Sequence, residues 1–156
     1  MKSLPLPPNY HSIMPYLRMR NAKDAITFYE QVFAAKVVER VDQPDGRIGH
    51  VEMNIGDSII MFSDEFPEIN ILGPQSIGGA SVGILLYIDD VDDCVAKALA
   101  NGAKLITPVT DQFYGDRSGK VIDPFGHEWV IATHIEHISH EEMQKRIAAM
   151  PKNDAQ

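Results

Sequence analysis

The feature that most constrains this chain is a repeat of one supersecondary unit. Residues 21–36, NAKDAITFYEQVFAAK, open with a polar turn, carry Ala25, Phe28, Tyr29, Val32 and Phe33 at helical spacing, and stop on small residues. Residues 89–104, DDVDDCVAKALANGAK, follow the same plan, with Val91, Cys94, Val95, Ala98 and Leu99 as the apolar stripe and Gly102 as the terminator. A stripe recurring every three to four residues predicts a helix with one buried face. Repetition of the whole plan predicts two copies of one folding unit rather than a single irregular domain.

The flanking residues extend the repeat. An apolar run precedes each helix, at 12–19 and at 81–88, and three strand-like runs follow it. In the first half these are 36–41, 47–55 and 57–62, punctuated by the turn Gln43-Pro44-Asp45-Gly46 and by Gly56. In the second they are 104–113, 119–123 and 127–133, with Gly126 answering Gly56. Alternation and glycine-bearing turns of this kind predict antiparallel strands. The expected fold is therefore α+β, one domain over 1–156. Its parts are a βαβββ module at 12–63, a linker rich in Pro and Gly at 64–80, a second module at 81–133, and a tail at 134–156. Ser139 with Glu142 makes a capping box, which predicts a short surface helix over 140–149.

Composition narrows the function classes. A formal charge of −8, with 14 scattered Lys and Arg, argues against a nucleic-acid partner, whose phosphates need basic patches. No apolar run reaches the roughly 18 residues of a membrane span. The opening MKSLPLPPNYHS has no apolar core of a signal peptide and reads as an extended lead-in, so a cytoplasmic location is the expectation. Cys94 is the single cysteine and sits in the helical stripe, where a buried, inert thiol is expected.

Three segments carry a family resemblance: PYLRMRNAKDAITFYEQVF, PDGRIGHVEMNIGDSIIMFSDEFPE and DQFYGDRSGKVIDPFGHEWVIATH. Together they resemble the PhnB-like branch of the vicinal-oxygen-chelate superfamily, the glyoxalase/bleomycin resistance/dioxygenase group. The resemblance implies two βαβββ modules whose strands curl into one U-shaped mixed sheet around a cavity, with the helices on the convex side. It also implies that two such chains often pair as a homodimer. In metal-dependent members, four ligands come from the first and last strand of each module. Aligning the strand–helix boundary places the first-strand positions at Met14 and Gly83, and aligning Gly56 with Gly126 places the last-strand positions at Ile60 and Val130. None of these can bind a metal, nor can the neighbours Pro15, Ile59, Met61, Ile84, Trp129 and Ile131. No metal and no cofactor are expected at those positions.

Several polar residues are candidates for ligand contact. His50, Glu52 and Asn54 alternate with Val51, Met53 and Ile55, so they share the strand face turned away from the packed helix; they either orient a ligand or face water. Glu128 shares the parity of Val130 and points inward or lies at a solvated strand end, with Tyr87 a nearby aromatic. The loop 111–117 gathers Phe113, Tyr114 and Arg117, which suit stacking and the grip of a carboxylate or phosphate; alternatively Asp116 and Arg117 pair with each other to brace the turn. Residues 64–68 serve as a lid or as a plain linker. His134, His137 and His140 read as solvated tail residues. The leading reading is a metal-independent binder of a small molecule. The alternative is a lyase or isomerase with a non-standard divalent-metal set drawn from His50, Glu52, His127 and Glu128, and a regulatory protein with a vestigial pocket stays open as a third.

Overall fold

A computed structural model describes residues 4–150, so the first three and last six positions of the chain lie outside the account that follows. The first module consists of β1 (Tyr16–Met19), α1 (Ala22–Phe33), β2 (Lys36–Asp42), β3 (Ile48–Ile55) and β4 (Ser58–Asp64). A 3-10 turn (Pro67–Ile69) and the short α2 (Pro74–Ile77) fill the linker. The second module repeats the order as β5 (Gly83–Tyr87), α3 (Val91–Ala100), β6 (Lys104–Asp111), β7 (Asp116–Ile122) and β8 (Glu128–His134), and α4 (His140–Ala149) closes the chain. The two βαβββ units are those the repeat predicts. Among the described residues no helix is long and apolar enough to cross a membrane.

The strands form two four-stranded mixed sheets, ordered β1-β4-β3-β2 and β5-β8-β7-β6, rather than one continuous sheet. In each, the first strand pairs in parallel with the last and the other pairs are antiparallel. β1 and β5 thus stay as edges, each with one side free. β1 starts at residue 16 instead of 12 because Pro15, lacking an N–H, contributes only its carbonyl, which accepts from the Met61 N–H. β4 runs on to Asp64, whose carboxylate accepts from the backbone N–H groups of Ala22 and Ile48 at 2.9 and 2.6 Å and so ties the start of α1 to the start of β3. α4 begins as its cap predicts, with the Ser139 hydroxyl accepting from the Glu142 N–H. The reciprocal half of the capping box is absent, because the Glu142 carboxylate pairs with Arg146 instead.

One apolar core spans both modules. Val51, Met53 and Ile55 of β3 point into it, as the alternation requires, against the buried stripe of α1. Each such side chain removed from water contributes about 1.5 to 3 kcal/mol. α1 and α3 lie side by side, and the Cys94 thiol donates to the Val32 carbonyl at 3.7 Å. Burial pushes that thiol up to about 11, the inert cysteine its position predicts.

The modules are locked by Asp123, which is only 3% exposed. One carboxylate oxygen accepts from the backbone N–H groups of Phe125 and His127, which shapes the turn between β7 and β8. The other accepts from the Tyr29 hydroxyl of α1 at 2.7 Å and from the Trp129 indole N–H at 2.9 Å. Burial, then the nearby Asp123 charge, raises the Tyr29 hydroxyl well above its ordinary pKa, so it stays a donor. Asp123→Asn replaces one acceptor oxygen by a donor that faces at least one N–H group whichever way the amide turns. The expected loss is about 2 to 4 kcal/mol in urea denaturation, larger than for Tyr29→Phe, which deletes a single partner at about 1 kcal/mol.

Candidate functional site

The repeat makes the contact between modules occur twice, and the two versions differ. In one, the turn between β7 and β8 (residues 123–127) fills the space against module one: Phe125 meets Phe28 and Tyr29 edge-on, and the His127 ring donates from Nε2 to the Arg18 carbonyl on the free side of β1 at 3.0 Å. In the other, the turn between β3 and β4 is only Gly56-Asp57, two residues against five, and does not fill the corresponding space against β5. A cavity of about 620 Å³ remains there. Its walls include Ile13, Pro15, Phe33, Ile60, Ile84 and Trp129, with His11, Asp57 and Tyr87 as polar members. The difference in turn length is thus the physical origin of the cavity.

The sheet faces turned away from the helices hold most of the polar candidates. On module one, Tyr16 pairs in register with Met61 and Glu52 faces Met61 from the other side, which puts Tyr16, Glu52 and Met61 on one face. Ile60 points into the core and is 4% exposed, so the last-strand position on this face is Met61 and not Ile60. Alignment on Gly56 and Gly126 caused that one-residue slip, since glycines in turns of different length are not equivalent positions. On this face His50 Nε2 lies 3.1 Å from Glu52 Oε1 and His50 Nδ1 lies 3.0 Å from the Tyr16 hydroxyl. Tyr10, from the lead-in, also donates to the Glu52 carboxylate, and that bond pushes its hydroxyl up to about 12. Asn54 lies apart from this chain, with its amide donating to the Gly56 carbonyl at 2.8 Å.

On module two, Tyr87 donates to Asp116 at 2.7 Å, and His134 Nδ1 lies 2.8 Å from the other oxygen of the same buried carboxylate. His134 is exposed to solvent, as expected of it, and closes β8 with one ring nitrogen against Asp116. Glu128 does share the face of Val130 and pairs with Lys120 at 3.0 Å. Arg117 neither pairs with Asp116 nor is free to grip an anion: its guanidinium holds Asp92 and Asp111, each at 2.7 Å. Neighbours along a strand point to opposite faces, which is why Asp116 and Arg117 cannot brace each other. Phe113 and Tyr114 stack edge-on with centroids 5.2 Å apart, and Arg146 of α4 donates to the Phe113 carbonyl, so α4 anchors this loop from outside. The stretch 64–68 is likewise tied down. Glu65 binds Ser76, Arg20 and the Gly73 N–H, which holds its carboxyl at about 2, and Glu68 pairs with Arg47.

Of the eight candidate ligand contacts, only Tyr87 lines the inter-module cavity. Glu52 and Asn54 border a separate groove beneath residues 7–10, and His50, Phe113, Tyr114, Arg117 and Glu128 stand outside both. The donor set does not fit a divalent ion. Among the described residues no three His, Cys, Asp or Glu side chains converge. The set His50, Glu52, His127 and Glu128 is dispersed: the first two are bonded to each other, His127 is buried against the Arg18 carbonyl, and Glu128 holds Lys120. The sequence reading did not include Tyr10, Tyr16, Arg18 or Asp123 among the site residues. A tyrosine in a proline-rich lead-in and an arginine at a strand end carry no periodic signal, so only the fold reveals their role.

Comparison with known proteins follows the geometry. A model of the Glyoxalase/Bleomycin resistance protein/Dioxygenase superfamily matches residues 10–131. The chain is 35% identical to Uncharacterized protein Mb0911c of Mycobacterium bovis over 141 residues, covering 88% of this chain and 93% of that protein. Among solved structures it is similar to protein PA1353 from Pseudomonas aeruginosa, with a TM-score of 0.67 at 23% identity, over 81% of this chain and all of that one. It is also similar to a structure from Bacillus cereus titled putative 3-demethylubiquinone-9 3-methyltransferase, PhnB protein, with a TM-score of 0.64 at 16% identity, over 79% of this chain and 99% of that one. At these identities the two structures speak to the fold alone.

His127 carries a pH-dependent contribution. Burial pulls its pKa below the ordinary 6.5 against the opposing pull of Asp123. The unfolded chain therefore binds a proton more readily than the folded one. The His127 contribution is fully present above 6.5 and falls as pH drops from 6.5 to the folded value. Urea midpoints at about pH 7.5 and about pH 5.5 are expected to show a drop in the wild type and a smaller drop in His127→Gln.

Proposed function

The chain belongs to the Glyoxalase/Bleomycin resistance protein/Dioxygenase superfamily, and within it we propose a metal-independent binder of a small, largely apolar molecule seated between the two modules. The observation that carries this reading is the cavity of about 620 Å³ left by the short β3–β4 turn. Its size falls in the range of ligand pockets, and its lining of hydrocarbon and aromatic rings with a few polar groups at hand is the usual chemistry of such sites. A donor set that does not fit a divalent ion supports the metal-independent reading over a metal-dependent lyase or isomerase. The PhnB-like branch is part of the same proposal; the Bacillus cereus neighbour, named a PhnB protein, shares the fold.

The same reading has two copies of the chain pairing through the sheet faces turned away from the helices. Tyr16, Leu85 and Tyr87 are 48%, 54% and 54% exposed there, and a second copy is the apolar cover that suits them. Sedimentation equilibrium is expected to give a dimer mass, and Leu85→Glu a monomer. A wild-type monomer at all concentrations contradicts the pairing.

Trp129, the single tryptophan, lines the cavity and reports on its occupant. Titration with 8-anilinonaphthalene-1-sulfonate is expected to quench Trp129 by energy transfer and to raise the melting temperature, while divalent ions leave it unchanged. Ser58→Tyr, at an exposed cavity residue, is expected to weaken that binding several-fold without loss of stability. Stabilisation by divalent ions together with no response to aromatic compounds contradicts the proposal.

A further inference from the structure

The first strands of the two modules differ in what meets their free side. In module one the Pro15 and Met19 carbonyls turn toward β4, accepting from Met61 and Glu65, so the main-chain groups of Tyr16 and Arg18 point the other way. His127 meets the Arg18 carbonyl there. In β5 the Ile88 N–H donates to the Ala132 carbonyl of β8 at 2.9 Å, which sets the alternation along the strand. Ile84 and Leu86 therefore turn toward β8 with Ile88, while Leu85 and Tyr87 turn both N–H and C=O away from it. No described residue bonds those outward groups.

The apolar cavity runs along that open edge. Residues 84–88 line it without a gap. A hollow against one face of a strand touches every second residue, so an unbroken run places this one beside the strand, and the side opposite β8 is the free one. Hydrocarbon from Ile13, Ile60 and Trp129 shares the lining. Unpaired N–H and C=O groups in such surroundings favour an occupant that supplies the complementary pair. The lining holds no Lys or Arg, so a carboxylate finds no counter-charge in it. A neutral group that donates and accepts beside hydrocarbon is what fits, and the secondary amide of a peptide is such a group.

Resting on the reading of this cavity as a ligand site, we propose that its ligands are short, uncharged, apolar peptides held in extended form as a further strand on β5. One ligand residue is enough. Its N–H donates to the Leu85 carbonyl and its C=O accepts from the Tyr87 N–H, the pattern of a parallel ladder. β5 spans Gly83–Tyr87, and of its outward residues only Leu85 and Tyr87 line the cavity, which keeps the peptide short. The ligand side chain meets hydrocarbon and is selected by size alone. The amide is selected by the main chain of β5.

The test compares acetyl-leucine methylamide with the isosteric ester in which the leucine N–H is an oxygen, on the intact protein, through Trp129 fluorescence. The two carry the same hydrocarbon, so burial of apolar surface alone makes them equal. The ester is expected to bind at least about tenfold more weakly, because it leaves the Leu85 carbonyl without a donor. Amide hydrogen exchange by NMR is expected to be fast at Leu85 and Tyr87 and slow at Leu86 in the free protein, with Tyr87 slowed by saturating amide. Tyr87→Pro removes the outward N–H and keeps the bonds to β8, and is expected to bind the amide several-fold more weakly than Tyr87→Ala. If the proline variant does not fold, the ligand comparison and the exchange rates decide. Equal affinity for amide and ester, no binding of the amide, or slow exchange at Leu85 and Tyr87 in the free protein overturns the proposal. Quenching by 8-anilinonaphthalene-1-sulfonate without preference for the amide overturns the peptide class and leaves the cavity reading intact.

Discussion

A single buried carboxylate holds the two halves of this molecule in register. Asp123 takes four hydrogen bonds, two from its own turn and two from ring donors that meet across the module boundary. A buried charge is costly unless its oxygens are satisfied, so once Tyr29 and Trp129 are placed the turn has little freedom to move. Around that point the aromatic core assembles: Tyr29 packs on Phe33, Phe62, Phe125 and Trp129, and these rings come from both modules. No buried side-chain polar atom among the described residues is left without a partner, which is what a core of this composition needs to be specific.

From that fixed contact the functional features follow by asymmetry. Duplication of a βαβββ unit produces two equivalent junctions, and a symmetric chain fills both equally. Here the five-residue turn at 123–127 fills one and the two-residue turn at Gly56-Asp57 leaves the other hollow. The polar networks diverge in the same way. On each sheet face a carboxylate accepts from a tyrosine hydroxyl and lies against a histidine ring, and only on module one does that ring's second nitrogen meet a further hydroxyl, that of Tyr16.

The order of elements was legible because helical periodicity and turn glycines act locally and appear twice. The position of α4 was legible for the same reason, since Ser139 caps within its own turn. Facing residues were less so. Gly56 and Gly126 both take positive φ, 58° and 93°, and look equivalent in sequence, yet they sit in turns of different length, which shifts the strand parity by one and exchanges Ile60 for Met61. Contacts made across long separations were hidden for a different reason. The partners of Arg117, the clamp on Asp116 and the link from Tyr10 to Glu52 depend on which strands lie side by side, and no local pattern encodes that.

The claim that one junction is closed and the other hollow is tested most directly by a crystal structure under xenon pressure, since xenon enters apolar cavities and avoids packed cores. Xenon is predicted beside Trp129, between the Gly56-Asp57 turn and β5, and not at the junction built around Asp123. Xenon absent from the first place, or present at the second, would contradict the account.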